Sequence, residues 1–191
     1  MAKILVALLH EHQLNKEGAL ITTSVTLLDV HDIARSSMTY GIESFFVVHP
    51  SESMRSLVGT MARHWQEGYG ATYNPTRKEA LSLLQVRSSF SELLGELKKT
   101  YGEKLKIIST SARFSPETIS FVDLKSKISA DTNGVYLILF GTGWGMSDQL
   151  MALADLRLQP ICGQGEYNHL SVRSACAIVL DRLFGVGTAG F

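Results

Sequence analysis

The sequence predicts an α/β fold with a mainly parallel sheet and helices on both faces. A wholly apolar run, Val135–Phe140, follows a turn signal at 133–134 and is rich in aliphatic and aromatic residues, as in central strands of parallel sheets. A glycine-rich segment, 141–145, follows that run at once. Short apolar stretches also alternate with amphipathic helical patterns along the chain, and this order is typical of β-α-β units.

Composition favours one domain, which we expect to cover residues 1–191. The chain has 191 residues with 45% hydrophobic content, and no linker-like stretch divides it. The apolar run 4–9 is too short to span a bilayer and lacks the flanks of a signal peptide, so we expect a cytoplasmic protein without membrane contact. Two cysteines argue against a disulfide framework, and a formal net charge of zero gives no global indication of a nucleic-acid partner.

The first half of the chain alternates predicted strands and helices. Strands are expected at Lys3–Leu9, 44–49 and Leu84–Arg87. Asp29 is a candidate N-cap for a helix over 30–40, and Gly41 would end that helix. A second helix follows up to Gly68. Residues 68–75 are expected to form a loop, and a short helix follows over 77–84.

The second half continues the same alternation. Ser89 and Glu92 form a capping-box pattern that opens a helix ending at Gly102. The remaining predicted elements are a strand at Leu105–Ser109, a helix opened by Ser120 and Asp123, the central strand, a helix over 147–154, a strand over 156–161 and a final helix from about Ser171.

Two glycine loops are the candidate ligand site. They follow the strands 135–140 and 156–161, and ligands of open α/β sheets bind at the carboxyl ends of strands. We therefore expect both loops side by side at one edge of the sheet; tight strand-to-helix turns are the alternative. The glycine spacing fits neither a dinucleotide fingerprint nor a phosphate loop. The loops could instead present backbone groups to an adenine and an amino-acid moiety, with Trp144, Leu170 or Ile161 covering apolar surface.

Histidines near the first strand permit a metal-site hypothesis. His10 and His12 follow the strand, and His31 and Asp32 begin the next predicted helix. No second carboxylate-rich cluster accompanies them, so we expect no metal and assign these side chains to substrate contacts or local capping.

Longer motifs carry a resemblance to a known family. The pairing of residues 139–145 (LFGTGWG) with 167–175 (YNHLSVRSA) resembles the SPOUT class of S-adenosylmethionine-dependent RNA methyltransferases. A narrower bacterial family within this class also carries, in this order, Asp29-x-His31-Asp32-Ile33-Ala34-Arg35, His64-Trp65, Tyr73-Asn74-Pro75 and Thr110-Ser111-Ala112-Arg113. The resemblance covers nearly the whole chain. Two positions depart from the class: its ribose methyltransferases carry Asn and Ser where this chain has Ser171 and Arg173.

The resemblance implies a deep trefoil knot over about 135–184 and a homodimer whose active site lies between the subunits. It also implies bound S-adenosylmethionine, held largely by backbone groups. The cofactor-binding residues carried over are Phe140, Gly141, Thr142, Gly143, Ile161, Cys162, Gly163, Asn168, Leu170, Ser171 and Ser174.

The resulting expectation is an RNA methyltransferase acting on tRNA or rRNA. Asp32 or His31 would accept the acceptor's proton, and Arg35 would be an active-site residue. Arg113, Arg173 and His10 would contact RNA. The rival expectation is a non-catalytic module of the same fold that binds the cofactor or RNA.

Overall fold

The computed structural model describes residues 2–165 and 167–186, and its centre is a six-stranded parallel sheet. Numbered along the chain, the strands are β1 (Lys3–Leu9), β2 (Gln13–Leu14), β3 (Leu20–Ile21), β4 (Ser44–Val48), β5 (Leu84–Arg87), β6 (Leu105–Ser109), β7 (Val135–Phe140) and β8 (Leu156–Arg157). The sheet order is β5-β4-β1-β7-β6-β8, and β2 pairs with β3 in a separate antiparallel hairpin.

Strand β7 lies between β1 and β6, and all six of its residues are buried. Val135 is opposite Lys3 of β1 on one side and Leu105 of β6 on the other, so the first residues of these three parallel strands are in register. A fully apolar strand needs cover on both faces, and central position in a parallel sheet provides it. The carboxyl ends of β1, β7 and β6 consequently meet at one edge.

Helices cover both faces of the sheet, as predicted. They are α1 (Leu27–Thr39), α2 (Glu52–Gln66), α3 (Tyr69–Tyr73), α4 (Pro75–Leu81), α5 (Phe90–Tyr101), α6 (Phe121–Ala130), α7 (Asp148–Met151) and α8 (Val172–Phe184). One core contains Val30, Leu124 and Val179 from α1, α6 and α8. The other core contains Leu93 from α5 and Leu150 from α7. Within the described residues, no helix is both long and apolar enough to cross a membrane.

Helix α1 begins at Leu27, three residues before the predicted start. Its N-cap is Thr26, whose Oγ1 accepts from the Asp29 backbone N–H and donates to Asp29 Oδ2 at 2.5 Å. Acidic residues are favoured both at the N-cap and in the first turn, so Asp29 fits either position by pattern alone. The assignment of Asp29 as the cap is therefore wrong.

Three other segments differ from their predictions. Residues 68–75, expected as a loop, contain the short helix α3, and α4 begins at Pro75 with Asn74 as its cap. Strand β8 is only two residues long, not 156–161, and Pro160 has no N–H to extend the ladder. The hairpin β2–β3 was not predicted, because strands of two residues give no periodicity.

Candidate active site

A cavity of about 1000 Å³ opens at the carboxyl edge of the sheet. Its lining includes the loop that follows β7 and the segment that leads into α8. The exit loop of β6 and residues Thr23 and Ser24 complete the lining. A cavity of this size can enclose most of a nucleoside-sized ligand.

The loop after β7 requires glycine at three positions. A Cβ added to Gly141 would lie 2.6 Å from Met146 Cγ and 2.7 Å from Gln13 Oε1, both closer than real contacts allow. Gly143 and Gly145 have φ values of +59° and +106°, a region that side chains other than glycine strongly disfavour. The shape of this wall therefore depends on its glycines.

The hairpin β2–β3 holds this loop in place. The fully buried Gln13 side chain accepts a 2.9 Å hydrogen bond from the Thr142 backbone N–H. The Trp144 N–H donates to the Leu14 carbonyl, and the Leu14 N–H donates to the Gly145 carbonyl. These bonds fix the loop before any ligand arrives, so little conformational freedom remains to be lost on binding. Gln13 was not predicted as a site residue.

Side-chain hydrogen bonds also connect the other walls. The Asn168 side-chain amide donates to the Ala112 carbonyl at 2.9 Å. Arg113 Nη2 donates to the Trp144 carbonyl at 2.9 Å. The exit loop of β6 thus lies between the two predicted ligand loops, because β6 separates β7 from β8 in the sheet. Trp144 of the first loop and His169, which follows the second, have their ring centroids 6.2 Å apart.

Most of the predicted cofactor residues line this cavity. Those that do are Phe140, Gly141, Thr142, Gly143, Ile161, Asn168, Leu170 and Ser171. Ser174 lines a smaller depression beside it. Cys162 and Gly163 line neither, and both are exposed. The cavity lining therefore gives no support for cofactor binding by Cys162 and Gly163, which stays a prediction of the resemblance.

His10 is fully buried, which contradicts its assignment to RNA contact. Its Nδ1 lies 3.0 Å from Thr23 Oγ1, and its ring lies 5.3 Å from that of His49. Burial, reinforced by the neighbouring His49, lowers the pKa of His10 to about 4. The side chain is thus a neutral support beneath Thr23, which itself lines the cavity.

We expect this buried histidine to make stability depend on pH. The unfolded chain takes up a proton near pH 6.5, whereas folded His10 resists protonation down to about pH 4. As the pH is lowered from about 6.5 to about 4, the contribution of His10 to the free energy of unfolding should therefore fall by up to about 3 kcal/mol. Urea unfolding at a series of pH values measures this slope. His10→Gln should flatten it, and an unchanged slope would contradict the assignment.

The three predicted catalytic residues lie outside the cavity of their own chain. His31 packs edge-on against Trp65, with ring centroids 5.8 Å apart, and burial followed by the Arg77 charge lowers its pKa. Asp32 and Arg35 line the smaller depression between α1 and α8. Within one subunit, His31 is not positioned to take a proton from a substrate in the cavity.

Arg173 connects the cavity to that depression. Its Nη1 lies 3.0 Å from Asp29 Oδ1, and its Nε lies 3.4 Å from Asp32 Oδ2. The described charged residues of the cavity lining are Lys16, Arg113, Arg173 and Asp29, and Asp29 is already paired with Arg173. The excess of positive charge favours an anionic ligand group. Among residues 2–165 and 167–186, no three metal-ligating side chains converge on one point.

The family model for SAM-dependent RNA methyltransferases matches residues 3–185. The chain belongs to this family. It is 38% identical over 181 residues to a protein of Aquifex aeolicus, covering 95% of this chain and 88% of that one. It is 37% identical over 179 residues to a tRNA (guanine-N(1)-)-methyltransferase of Oleidesulfovibrio alaskensis, covering 94% of this chain. This chain spans only 41% of the length of that second relative.

Solved structures share the fold. The SpoU methyltransferase AviRb of Streptomyces viridochromogenes, in complex with AdoMet, superimposes with a TM-score of 0.58 at 15% identity and covers 95% of this chain and 57% of its own. The Aquifex aeolicus TrmH/SpoU tRNA modifying enzyme gives a TM-score of 0.57 at 16% identity, covering 96% of this chain and 74% of its own. These neighbours confirm the predicted parallel α/β architecture of the methyltransferase class.

Members of this family use S-adenosylmethionine, and the cavity fits that cofactor. Phe140, Leu158 and Ile161 offer apolar surface for an adenine. Gly141 itself lines the cavity, and its missing side chain leaves room for the close packing of Met146 and Gln13. Sequence reasoning missed Thr23 and Ser24, which lie far from the glycine motifs, and also Leu158, which lies in the predicted strand just before the second glycine loop.

Proposed function

We propose that this methyltransferase acts on tRNA or rRNA at the cavity between the β7 loop and the segment before α8. The observation that carries this proposal is the glycine loop locked by Gln13 into one wall of that cavity. When bound there, S-adenosylmethionine supplies an electrophilic methyl carbon. The Oleidesulfovibrio alaskensis relative, named a tRNA methyltransferase, favours tRNA as the RNA class.

The cavity residues are proposed to divide into two groups. Those of the β7 loop and of 168–171 hold the cofactor, mainly through backbone groups. Arg113 and Arg173 face the same cavity and offer guanidinium N–H donors to phosphate or base acceptors. Holding the acceptor and the cofactor in one site makes the transfer effectively intramolecular.

A homodimer would supply Arg35 and Asp32 to this site. Both residues lie on the exposed depression between α1 and α8, outside their own cavity, so contact through this surface would present them to a partner subunit. Leu28 on α1 is 66% exposed and supports an apolar contact there. Leu180 lies beyond the main apolar stripe of α8, where its sequence position alone would suggest an interface, but it is buried in the core of its own subunit. Light scattering at micromolar concentration should give twice the chain mass of 21.0 kDa, and a monomer would contradict the proposal.

We also propose that the chain forms a trefoil knot over about 135–184 and a single catalytic domain over 1–191. Its proposed location is cytoplasmic. In support of the knot, Leu158, Gln159, Ile161 and residues 167–171 line the same cavity as the β7 loop, and α8 then packs against α1 and α6. In support of one domain, all six parallel strands share a single sheet.

A methyl-transfer assay tests the proposed function. Purified protein and radiolabelled S-adenosylmethionine are incubated with bulk RNA from a strain that lacks the gene, and tRNA and rRNA are then separated. We expect label in one RNA class and none in the matching RNA from the parent strain, whose sites are already methylated. Binding of S-adenosylhomocysteine without transfer to any RNA would support the rival function of a non-catalytic module.

A further inference from the structure

We infer that an aromatic rim formed by Trp144, Tyr167 and His169 stacks an unpaired nucleobase of the RNA substrate at the mouth of the cavity. This inference rests on the proposed function and names the substrate feature that the site selects. All three residues line the cavity opening. None of the expectations drawn from the sequence assigns them a role toward RNA.

The three rings form a continuous cluster. The His169 ring lies 6.2 Å from that of Trp144 at 60° and 5.4 Å from that of Tyr167 at 81°, so it makes edge-on contacts with both. Trp144 is 50% exposed and Tyr167 is 80% exposed. Large aromatic side chains bury apolar area when they can, so a cluster left open to solvent marks a binding surface.

Trp144 is held in position independently of any ligand. Its backbone N–H donates to the Leu14 carbonyl, and its carbonyl accepts from Arg113 Nη2. Two hydrogen bonds therefore fix the backbone that carries the indole, and one of them comes from a guanidinium group. A fixed aromatic face loses little conformational freedom when a flat ligand stacks on it.

The chemistry of the surroundings favours an unpaired nucleotide as the occupant. Every nucleobase has a π-face that stacks on aromatic side chains, and the adjoining phosphate requires nearby cations. Lys16, Arg113 and Arg173 line the same cavity. A base within a duplex has its faces covered by its neighbours, so the rim would accept it only after it leaves the stack. Since stacking tolerates any base, the rim selects the unpaired state rather than the identity of the base.

The test compares Trp144→Ala and Trp144→Phe with a control on another surface, Tyr69→Ala. Tyr69 is 76% exposed and stacks on Tyr73, but it lies on α3 and does not line the cavity. The probes are end-labelled single-stranded oligoadenylate and oligouridylate and a matched RNA duplex, titrated by fluorescence anisotropy with saturating S-adenosylhomocysteine.

We expect Trp144→Ala to weaken binding of both single strands about tenfold, which corresponds to the loss of one base–aromatic stack. Trp144→Phe should retain affinity within about threefold because it keeps an aromatic face. Tyr69→Ala should match wild type. Calorimetry with S-adenosylhomocysteine on each variant verifies that the cofactor site is intact.

Two outcomes would overturn the inference, and they are distinguishable. Wild-type affinity of Trp144→Ala for the single strands, with S-adenosylhomocysteine bound normally, removes the stacking role and leaves the proposed function in place. Failure of the wild-type protein itself to bind any RNA probe or bulk RNA would remove both.

Discussion

Replacement of Gly141 by valine is expected to abolish S-adenosylhomocysteine binding. A Cβ at this position meets Met146 Cγ at 2.6 Å and Gln13 Oε1 at 2.7 Å. Gln13 is fully buried and hydrogen-bonded, so it cannot move aside, and the loop must shift instead. Because we propose that loop backbone groups hold the cofactor, we expect the dissociation constant to rise at least about 100-fold. Isothermal titration calorimetry measures it.

Two glycine variants serve as controls for this experiment. Gly163 has no atom within 4 Å of an added Cβ and does not line the cavity. Gly163→Val should therefore bind like wild type, contrary to what the glycine motif alone suggests. Gly95 on α5 also has free space around it, so Gly95→Ala tests for a general effect of losing a glycine. Loss of binding in Gly163→Val with normal binding in Gly141→Val would reverse the assignment of the two loops.

Removal of Arg35 is expected to reduce methyl transfer about 100-fold or more while leaving cofactor binding unchanged, if its guanidinium contacts the RNA or the acceptor. Arg35→Lys should be nearly as damaging as Arg35→Ala, since an ammonium group cannot reproduce the planar fork of donors. The cofactor affinity should persist because Arg35 does not line the cavity of its own chain. Methyl transfer within a few-fold of wild type for Arg35→Ala would show that Arg35 is an ordinary surface charge.

For the proposed homodimer, mixed dimers can distinguish action of Arg35 across the subunit interface from action within one chain. Arg35→Ala and Gly141→Val subunits, carrying different tags, are co-expressed and the dimers purified without selection. If Arg35 acts on the partner's cavity, each mixed dimer has one site with both residues intact. Random assembly makes half of the dimers mixed, each with one of its two sites intact. About a quarter of wild-type activity should then be restored. Action within one chain predicts no recovery, because neither subunit carries both residues.

The elements that sequence patterns predicted best are those with long or uninterrupted signals. β7 was predicted to the residue because a six-residue apolar run between turn signals has few alternatives in an α/β chain. The capping residue Ser89 located α5, since its hydroxyl accepts from the Glu92 N–H as the pattern requires. Both features are local, so a single sequence contains the information.

The elements that were missed depend on contacts between distant parts of the chain. Strands β2 and β3 have two residues each, and hydrogen bonds between β2 and the β7 loop stabilise the hairpin where its own pattern does not. β8 ends at Arg157 although residues 156–161 are mostly apolar; the Leu158 and Gln159 N–H groups still donate to the Ser109 and Ile119 carbonyls, and Pro160 has no N–H to continue.

In the candidate site, too, residues within local motifs were predicted and residues that act through distant contacts were missed. The glycine loop and Asn168 were found from their motifs, and they line the cavity. Gln13 and Thr23 were missed because they hold the loop through side chains of common type in an unremarkable stretch. His10 was misassigned because its exact depth at the end of β1 cannot be read from sequence; a strand-end histidine can face solvent or the core.

The bond between Gln13 and Thr142 also bears on when the site forms during folding. It joins residues 129 positions apart, and Thr142 Oγ1 reaches Leu9 across 133 positions. Contacts of such sequence separation close large loops and form late, after local helices have appeared. A nascent chain still attached to the ribosome cannot build the cofactor pocket until both segments have emerged. Cofactor affinity should therefore be among the last properties that a refolding chain recovers, well after its helical signal has returned.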